Sequence, residues 1–258
     1  MFLSIDAGNS NIVFGFYDPE TEKWTHEYRL ETRRDLTLSY LEKNIRFYFL
    51  ENGLRAPSVK AVGISSVVPE ISDLLVQFSE TFFHKTPHLI NERSYTKLKI
   101  STARPQEMGT DLMANAAAAY EYFQTTCVII DFGTALTFTV IDKDGKIMGV
   151  NIVPGLKTAL KSLFRNTSKL PEVKLEVPQS AIGKDTIHSI QAGILFGYTG
   201  LVKGMLEAIK KEVNLEIKTI ATGGLSEILS TLKGEFDKVD RELTLKGIKL
   251  ITEKNMAT

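Results

Sequence analysis

The chain has 258 residues, 43% of them apolar, with 31 basic and 31 acidic side chains and a formal net charge of zero. That length and apolar content suffice to bury a substantial core, in one large domain or two compact halves. The charge balance lacks the basic footprint of a protein that grips a phosphate backbone, so no nucleic-acid partner is expected. A single cysteine, Cys127, excludes an intrachain disulfide and a thiolate zinc cluster.

The chain opens Met1-Phe2-Leu3-Ser4-Ile5-Asp6, without a basic leader. No stretch is expected to reach the ~20 apolar residues of a bilayer span, so we expect a cytoplasmic protein with no membrane partner. Residues 4–17 predict a strand, a tight glycine turn and a returning strand. Trp24–Leu30 reads as a third strand. Leu38, Leu41, Ile45, Tyr48 and Phe49 recur at helical spacing. A strand over Val59–Val67 follows, then a helix from Pro69, with proline at a first-turn position. Pro105–Asn115 opens an alanine-rich helix.

Cys127–Ile130 is an apolar run that predicts a buried strand, where cysteine acts as a small hydrophobe. Residues 129–142 then repeat the pattern of residues 4–17, with Asp131-Phe132-Gly133-Thr134 matching Asp6-Ala7-Gly8-Asn9. The two aspartates lie 125 positions apart, about half the chain. Lys146–Val153 completes three strands, and helices are expected at Leu156–Phe164 and Thr186–Val213. A strand at Ile217–Ala221 leads through Thr222-Gly223-Gly224 into a further helical stretch. The order β-β-β-α-β-α, given twice, predicts an α/β fold of two related halves, 1–117 and 118–258.

The chemistry centres on the duplicated turns. A strand that ends in aspartate puts a carboxylate at the sheet edge, where α/β proteins bind ligands. Gly8 permits a sharp turn and close backbone approach. The amides of Gly8 and Asn9 and the side chains of Asn9, Ser10 and Asn11 suit phosphate oxygens, and Asp6 suits a hydrated Mg²⁺. An ordinary hairpin turn is the alternative for one copy. The second copy, with Gly133 and Thr134, is expected to face the first across a cleft. The Thr222-Gly223-Gly224 turn would bring Gly223 and Gly224 to the nucleotide. This combination resembles the phosphate sites of actin-like (ribonuclease H-like) ATPases, which implies two halves with mixed five-stranded sheets flanked by helices.

The segment Gly109-Thr110-Asp111-Leu112-Met113-Ala114-Asn115 brings a closer resemblance, to type III pantothenate kinases. So do Asp6-x-Gly8-Asn9-Ser10, Ser65-Ser66-Val67-Val68-Pro69, Asp131-Phe132-Gly133-Thr134-Ala135, Ile152-Val153-Pro154-Gly155, Lys169-Leu170-Pro171, Gly183-Lys184-Asp185-Thr186 and Thr222-Gly223-Gly224. The resemblance implies ATP-dependent phosphorylation of pantothenate, the first step of coenzyme A synthesis. It implies Asp111 as general base, phosphate binding along Asp6–Val13 and ATP contact at Thr134. It further implies a monovalent cation (K⁺ or NH₄⁺) at Asp131, pantothenate at Gly109, Thr110, Leu112 and Thr186, and a homodimer. A kinase of the same fold for another hydroxylated acid, or a non-catalytic nucleotide-binding regulator, are the alternatives.

Bland roles stand beside these: Asp111 as a first-turn carboxylate and Thr186 as an N-cap. The family's arginine after the aspartate is Leu112 here, and its paired glycines before Ile-x-Pro-Gly appear as Gly149-Val150-Asn151. Arg104 or Arg165 is the candidate to supply the missing positive charge. Gly193, Gly197, Gly200 and Gly204 are expected to form one helix face that packs internally on a sheet or in a dimer contact. The four histidines read as structural or exposed.

Overall fold

The computed structural model describes residues 1–224, 226 and 230–256. In one unit, strands β1 (Phe2–Ala7), β2 (Asn11–Asp18), β3 (Lys23–Glu31), β4 (Ala61–Ser66) and β5 (His88–Leu89) form a sheet of order β3-β2-β1-β4-β5. The first three strands are an antiparallel meander, and β4 and β5 extend it in parallel. In the other unit, β6 (Cys127–Phe132), β7 (Ala135–Ile141), β8 (Ile147–Pro154), β9 (Lys218–Thr222) and β10 (Lys238–Val239) are ordered β10-β9-β6-β7-β8. Directions repeat as well: β6, β7 and β8 are antiparallel, and β9 and β10 parallel. The two mixed five-stranded sheets expected of an actin-like fold are therefore present, each with the same topology.

Alternation along the central strands decides what each face meets. On β1, Leu3, Ile5 and Ala7 point into a core with helices α1 (Leu38–Glu51) and α2 (Pro69–Phe78). Phe14, Phe16, Phe49, Phe78 and Phe83 fill it, with Phe16 and Phe49 ring centroids 5.3 Å apart and edge-on. On β6, Val128, Ile130 and Phe132 meet Leu156 of α4 (Leu156–Arg165) and Ile190, Leu195, Val202 and Leu206 of α5 (Thr186–Val213). Cys127 is buried and its thiol is pushed up to about 12 by that burial, which suits an inert packing role.

The division of the chain differs from the sequence expectation at its end. The first unit comprises Met1–Glu121 with the C-terminal helix α6 (Leu243–Met256); the second is Tyr122–Glu242. Sequence reading had run the second half through residue 258. Glycine makes the difference: a Cβ at Gly15 would lie on Leu245, and one at Gly63 on Thr252 and Ile248, so β2 and β4 leave room for this helix. Ser4 Oγ donates to Leu245 O at 2.9 Å, and Thr244 Oγ1 donates to Asn115 Oδ1 at 2.8 Å. Gly247 packs onto the backbone of Ala114 in α3 (Thr110–Phe123).

Two further expectations change. The helical stretch proposed after Gly224 falls largely outside the described residues, and a 3-10 turn occupies Ser230–Glu235. No bilayer-length apolar segment was anticipated, yet α5 has the length and hydropathy for one. Its Ile190, Ile194, Leu195, Val202 and Leu206 instead belong to the second unit's core. Nor do its glycines pack internally: a Cβ at Gly193, Gly197, Gly200 or Gly204 would meet nothing within 4 Å.

Candidate active site

Asp6 and Asp131 hold equivalent places, each the penultimate residue of a six-residue central strand. Asp6 pairs in register with Val13 and Ser65, and Asp131 with Thr137 and Thr222. Each strand then enters a tight turn closed by a glycine amide. Gly8 N–H donates to Asn11 O and Gly133 N–H to Ala135 O, both at 3.0 Å. Asn9 and Ser10 are exposed at the tip of the first turn and Thr134 at the tip of the second, while Asn11 begins β2. Thr32, which sequence reasoning missed, clamps the first turn. Its Oγ1 donates to Gly8 O at 2.6 Å and its N–H to Ser10 O at 3.0 Å. Nothing in the local sequence marks Thr32, because the contact spans 24 residues.

Around Asp131 the second unit brings its glycines to one sheet end. Gly155, the N-cap of α4, donates its N–H to Thr134 O at 3.0 Å, and Thr158 Oγ1 donates to the same oxygen at 2.7 Å. A Cβ at Gly155 would overlap the carbonyl of Gly133. Gly223 has φ +89°, and a Cβ there would lie 2.6 Å from Asp131 Oδ1. Only glycine satisfies both that left-handed backbone and that approach. Gly224 follows it, exposed. The result is a wall of backbone groups and one carboxylate, an arrangement suited to anions and small cations.

The first unit builds a different feature at the corresponding end of its own sheet. Ser65 Oγ and Thr110 Oγ1 are 2.8 Å apart, and Thr110 Oγ1 donates to Ser66 O at 3.3 Å. This ties the start of α3 to the strand beside Asp6. Asp111 therefore stands in the first turn of α3, where Leu112 N–H donates to its Oδ1 at 2.7 Å. The tight Gly109 bend keeps a side chain off that same oxygen. A helix N-terminus and an amide donor favour the charged form, but burial outweighs them and raises the Asp111 carboxyl above the usual range. Tyr95, also missed from sequence, has its phenol pushed up to about 12, chiefly by burial, with the Asp111 charge adding to it. A carboxylate with a raised pKa accepts protons better near neutral pH, as a general base requires.

Thr186 begins α5 but does not cap it: Asp185 is the N-cap, its Oδ1 accepting from His188 N at 2.8 Å. Thr186 instead lines an open groove of about 450 Å³ with Leu163, Leu170, Ser189, Ile190 and Gly193. Arg104 is exposed and its guanidinium pairs with Glu107 at 3.2 Å; Arg165 is exposed in the last turn of α4. Leu112, half-buried, offers only its backbone. Two histidines are structural, His88 Nε2 lying 2.9 Å from Ser94 Oγ and His188 Nε2 3.0 Å from Ser180 O.

Comparison with known proteins agrees with the motifs. A family model described as type III pantothenate kinase matches residues 2–208. A type III pantothenate kinase of Citrifermentans bemidjiense is 39% identical over 257 residues, covering 99% of this chain and all of the relative. One from Halalkalibacterium halodurans is 38% identical over 256 residues, again 99% of this chain and 100% of the relative. Among solved structures, a putative 2-dehydro-3-deoxygalactonokinase from Sinorhizobium meliloti superposes with a TM-score of 0.61 at 10% identity, covering 100% of this chain and 98% of that one, a likeness of fold. The chain belongs to the type III pantothenate kinase family: it is a kinase of the actin-like fold that phosphorylates pantothenate with ATP, in coenzyme A synthesis.

Proposed function

We propose that Asp111 is the general base of this kinase, and the observation that carries the assignment is its place in the first turn of α3 with a carboxyl that desolvation raises above the usual range. The pantothenate hydroxyl gives its proton to an Asp111 carboxylate oxygen. The hydroxyl oxygen then bonds to the γ-phosphorus of ATP as the bond to the β-phosphate bridging oxygen breaks, releasing ADP. A carboxylate held above the ordinary range matches the task better than a surface one. Gly109, Thr110, Leu112 and Thr186 take the pantothenate. In this reading the Ser65–Thr110 contact is a positioning device for the base.

Phosphates of ATP fall to the amides and side chains of Gly8, Asn9, Ser10 and Asn11, and to Gly133 and Thr134. Gly223 and Gly224 lie along the nucleotide. The glycine requirement at Gly155 and Gly223 supports this, since both keep side chains away from the Asp131–Thr134 turn. Asp6 is the carboxylate for a hydrated Mg²⁺, an ion that keeps most of its waters and binds through one or two carboxylates. Such a metal, when bound, neutralises charge developing on the transferred phosphoryl. Asp131 is the carboxylate for K⁺ or NH₄⁺.

Self-association fits the bare glycine face of α5, with exposed Phe196 beside it. A homodimer through this face is expected in the cytoplasm, and light scattering at micromolar concentration reads it directly. For the base, the test is steady-state kinetics of Asp111→Asn with ATP and pantothenate. A general base contributes roughly 10²–10⁴-fold, so kcat falls by that factor while ATP affinity is retained.

A further inference from the structure

The two sheets treat their equivalent aspartates differently. Asp6 stands between Val13, which needs no partner, and Ser65, whose Oγ meets Thr110 Oγ1 at 2.8 Å. Asp131 stands between Thr137 on β7 and Thr222 on β9. Residues paired in register project from one face of a sheet, so both threonines flank the carboxylate on its own face. Thr137 is 7% exposed and Thr222 0%, and neither Oγ1 has a hydrogen-bond partner among the described residues. A buried hydroxyl without a partner costs stability and calls for a specific explanation.

Resting on the reading that Asp131 faces a cation, we propose that the hydroxyl oxygens of Thr137 and Thr222 complete that site as ligands for a monovalent cation. The donor set carries one negative charge and two neutral oxygens. Mg²⁺ dehydrates reluctantly and keeps most of its waters, which two buried hydroxyls beside one carboxylate do not accommodate, and transition metals draw on nitrogen or sulfur. No cluster of three or more His, Cys, Asp or Glu side chains exists among the described residues. A threonine oxygen has lone pairs for an alkali cation or for an ammonium N–H, with its own hydrogen turned away. Glycine at position 223 adds no side chain beside Asp131 Oδ1. Occupancy stiffens the Asp131–Thr134 turn and thereby prepares its amides for an anion. A buried water is the rival occupant.

The test is direct ion binding on the full chain. Thallous-ion NMR titration, thallous ion standing in for K⁺, is paired with melting curves in KCl, NH₄Cl and tetramethylammonium chloride at equal ionic strength. Wild type binds the ion and melts higher in K⁺ or NH₄⁺ than in tetramethylammonium. Thr137→Val and Thr222→Val each weaken binding by about tenfold or more. In tetramethylammonium they melt no lower than wild type, because an orphan hydroxyl is gone. Thr→Ser at either site retains binding and Thr→Ala loses it, which keeps the comparison decisive where valine perturbs folding. If the valine variants bind like wild type while Asp131→Asn does not, the threonines are not ligands and the Asp131 reading survives. If wild type neither binds the ion nor responds to K⁺, both readings fall and water fills the site.

Discussion

Ser65 Oγ and Thr110 Oγ1 lie 2.8 Å apart, joining the end of β4 to the first residue of α3. That contact sets where the next residue, Asp111, enters its turn. Ser65→Ala leaves Thr110 with only Ser66 O, at 3.3 Å. We expect a stability loss of about 1 kcal/mol in urea titration. We also expect kcat to fall by about 10- to 100-fold with little change in the KM for ATP, since small misplacements of a catalytic group are costly.

The raised Asp111 carboxyl carries a pH signature. A group whose folded pKa lies above its unfolded value stabilises the fold most when protonated, and that contribution is lost as pH rises through the folded pKa. Asp111→Asn is therefore more stable than wild type at neutral pH, and the gap closes as pH falls through the raised carboxyl pKa to the ordinary aspartate range. Urea midpoints measured from pH 4 upward, about the ordinary aspartate pKa, check this. The acid limb of the wild-type kcat profile follows the same group, above the usual aspartate range.

Gly155 and Gly223 tolerate no side chain for two different reasons. A Cβ at Gly155 meets carbonyl oxygens of Gly133 and Thr134; Gly223 adds a left-handed φ of +89°. Alanine at either position should cost about 1–3 kcal/mol in thermal or chemical denaturation. The KM for ATP should rise in whatever fraction remains folded.

Thr252 supplies a control away from the proposed chemistry. It lies on α6 against Gly63, fully buried, with no partner for its hydroxyl among the described residues. Thr252→Val keeps the shape and removes the orphan, so the protein should gain about 1 kcal/mol with unchanged kinetics. Gly63→Ala, which drives a methyl into Thr252, should lose at least as much.

Where local pattern carries the information, the sequence was readable. Helix α5 runs over Thr186–Val213, the span expected from the sequence, and the duplicated Asp-x-Gly turns announced two sheets of one topology. Strands β5 and β10 were invisible because two residues cannot show alternation. The return of α6 to the first sheet rests on Gly15 and Gly63, whose missing side chains matter only once a distant helix arrives. Asp6 and Asp131 stood out because carboxylates beside glycines are conspicuous, and Asp111 through the resemblance of its segment to the family. Thr32, Tyr95 and Thr137 did not, since their significance comes from partners distant in the chain or from having none.

As proposed, the Asp111 carboxylate takes the proton of the pantothenate hydroxyl. The most direct test is single-turnover phosphoryl transfer from ATP to pantothenate by wild type and Asp111→Asn, with nucleotide binding measured in parallel. Intact binding and a transfer step slowed by roughly 10²–10⁴-fold in the variant are expected. Transfer at the wild-type rate by Asp111→Asn would contradict that role.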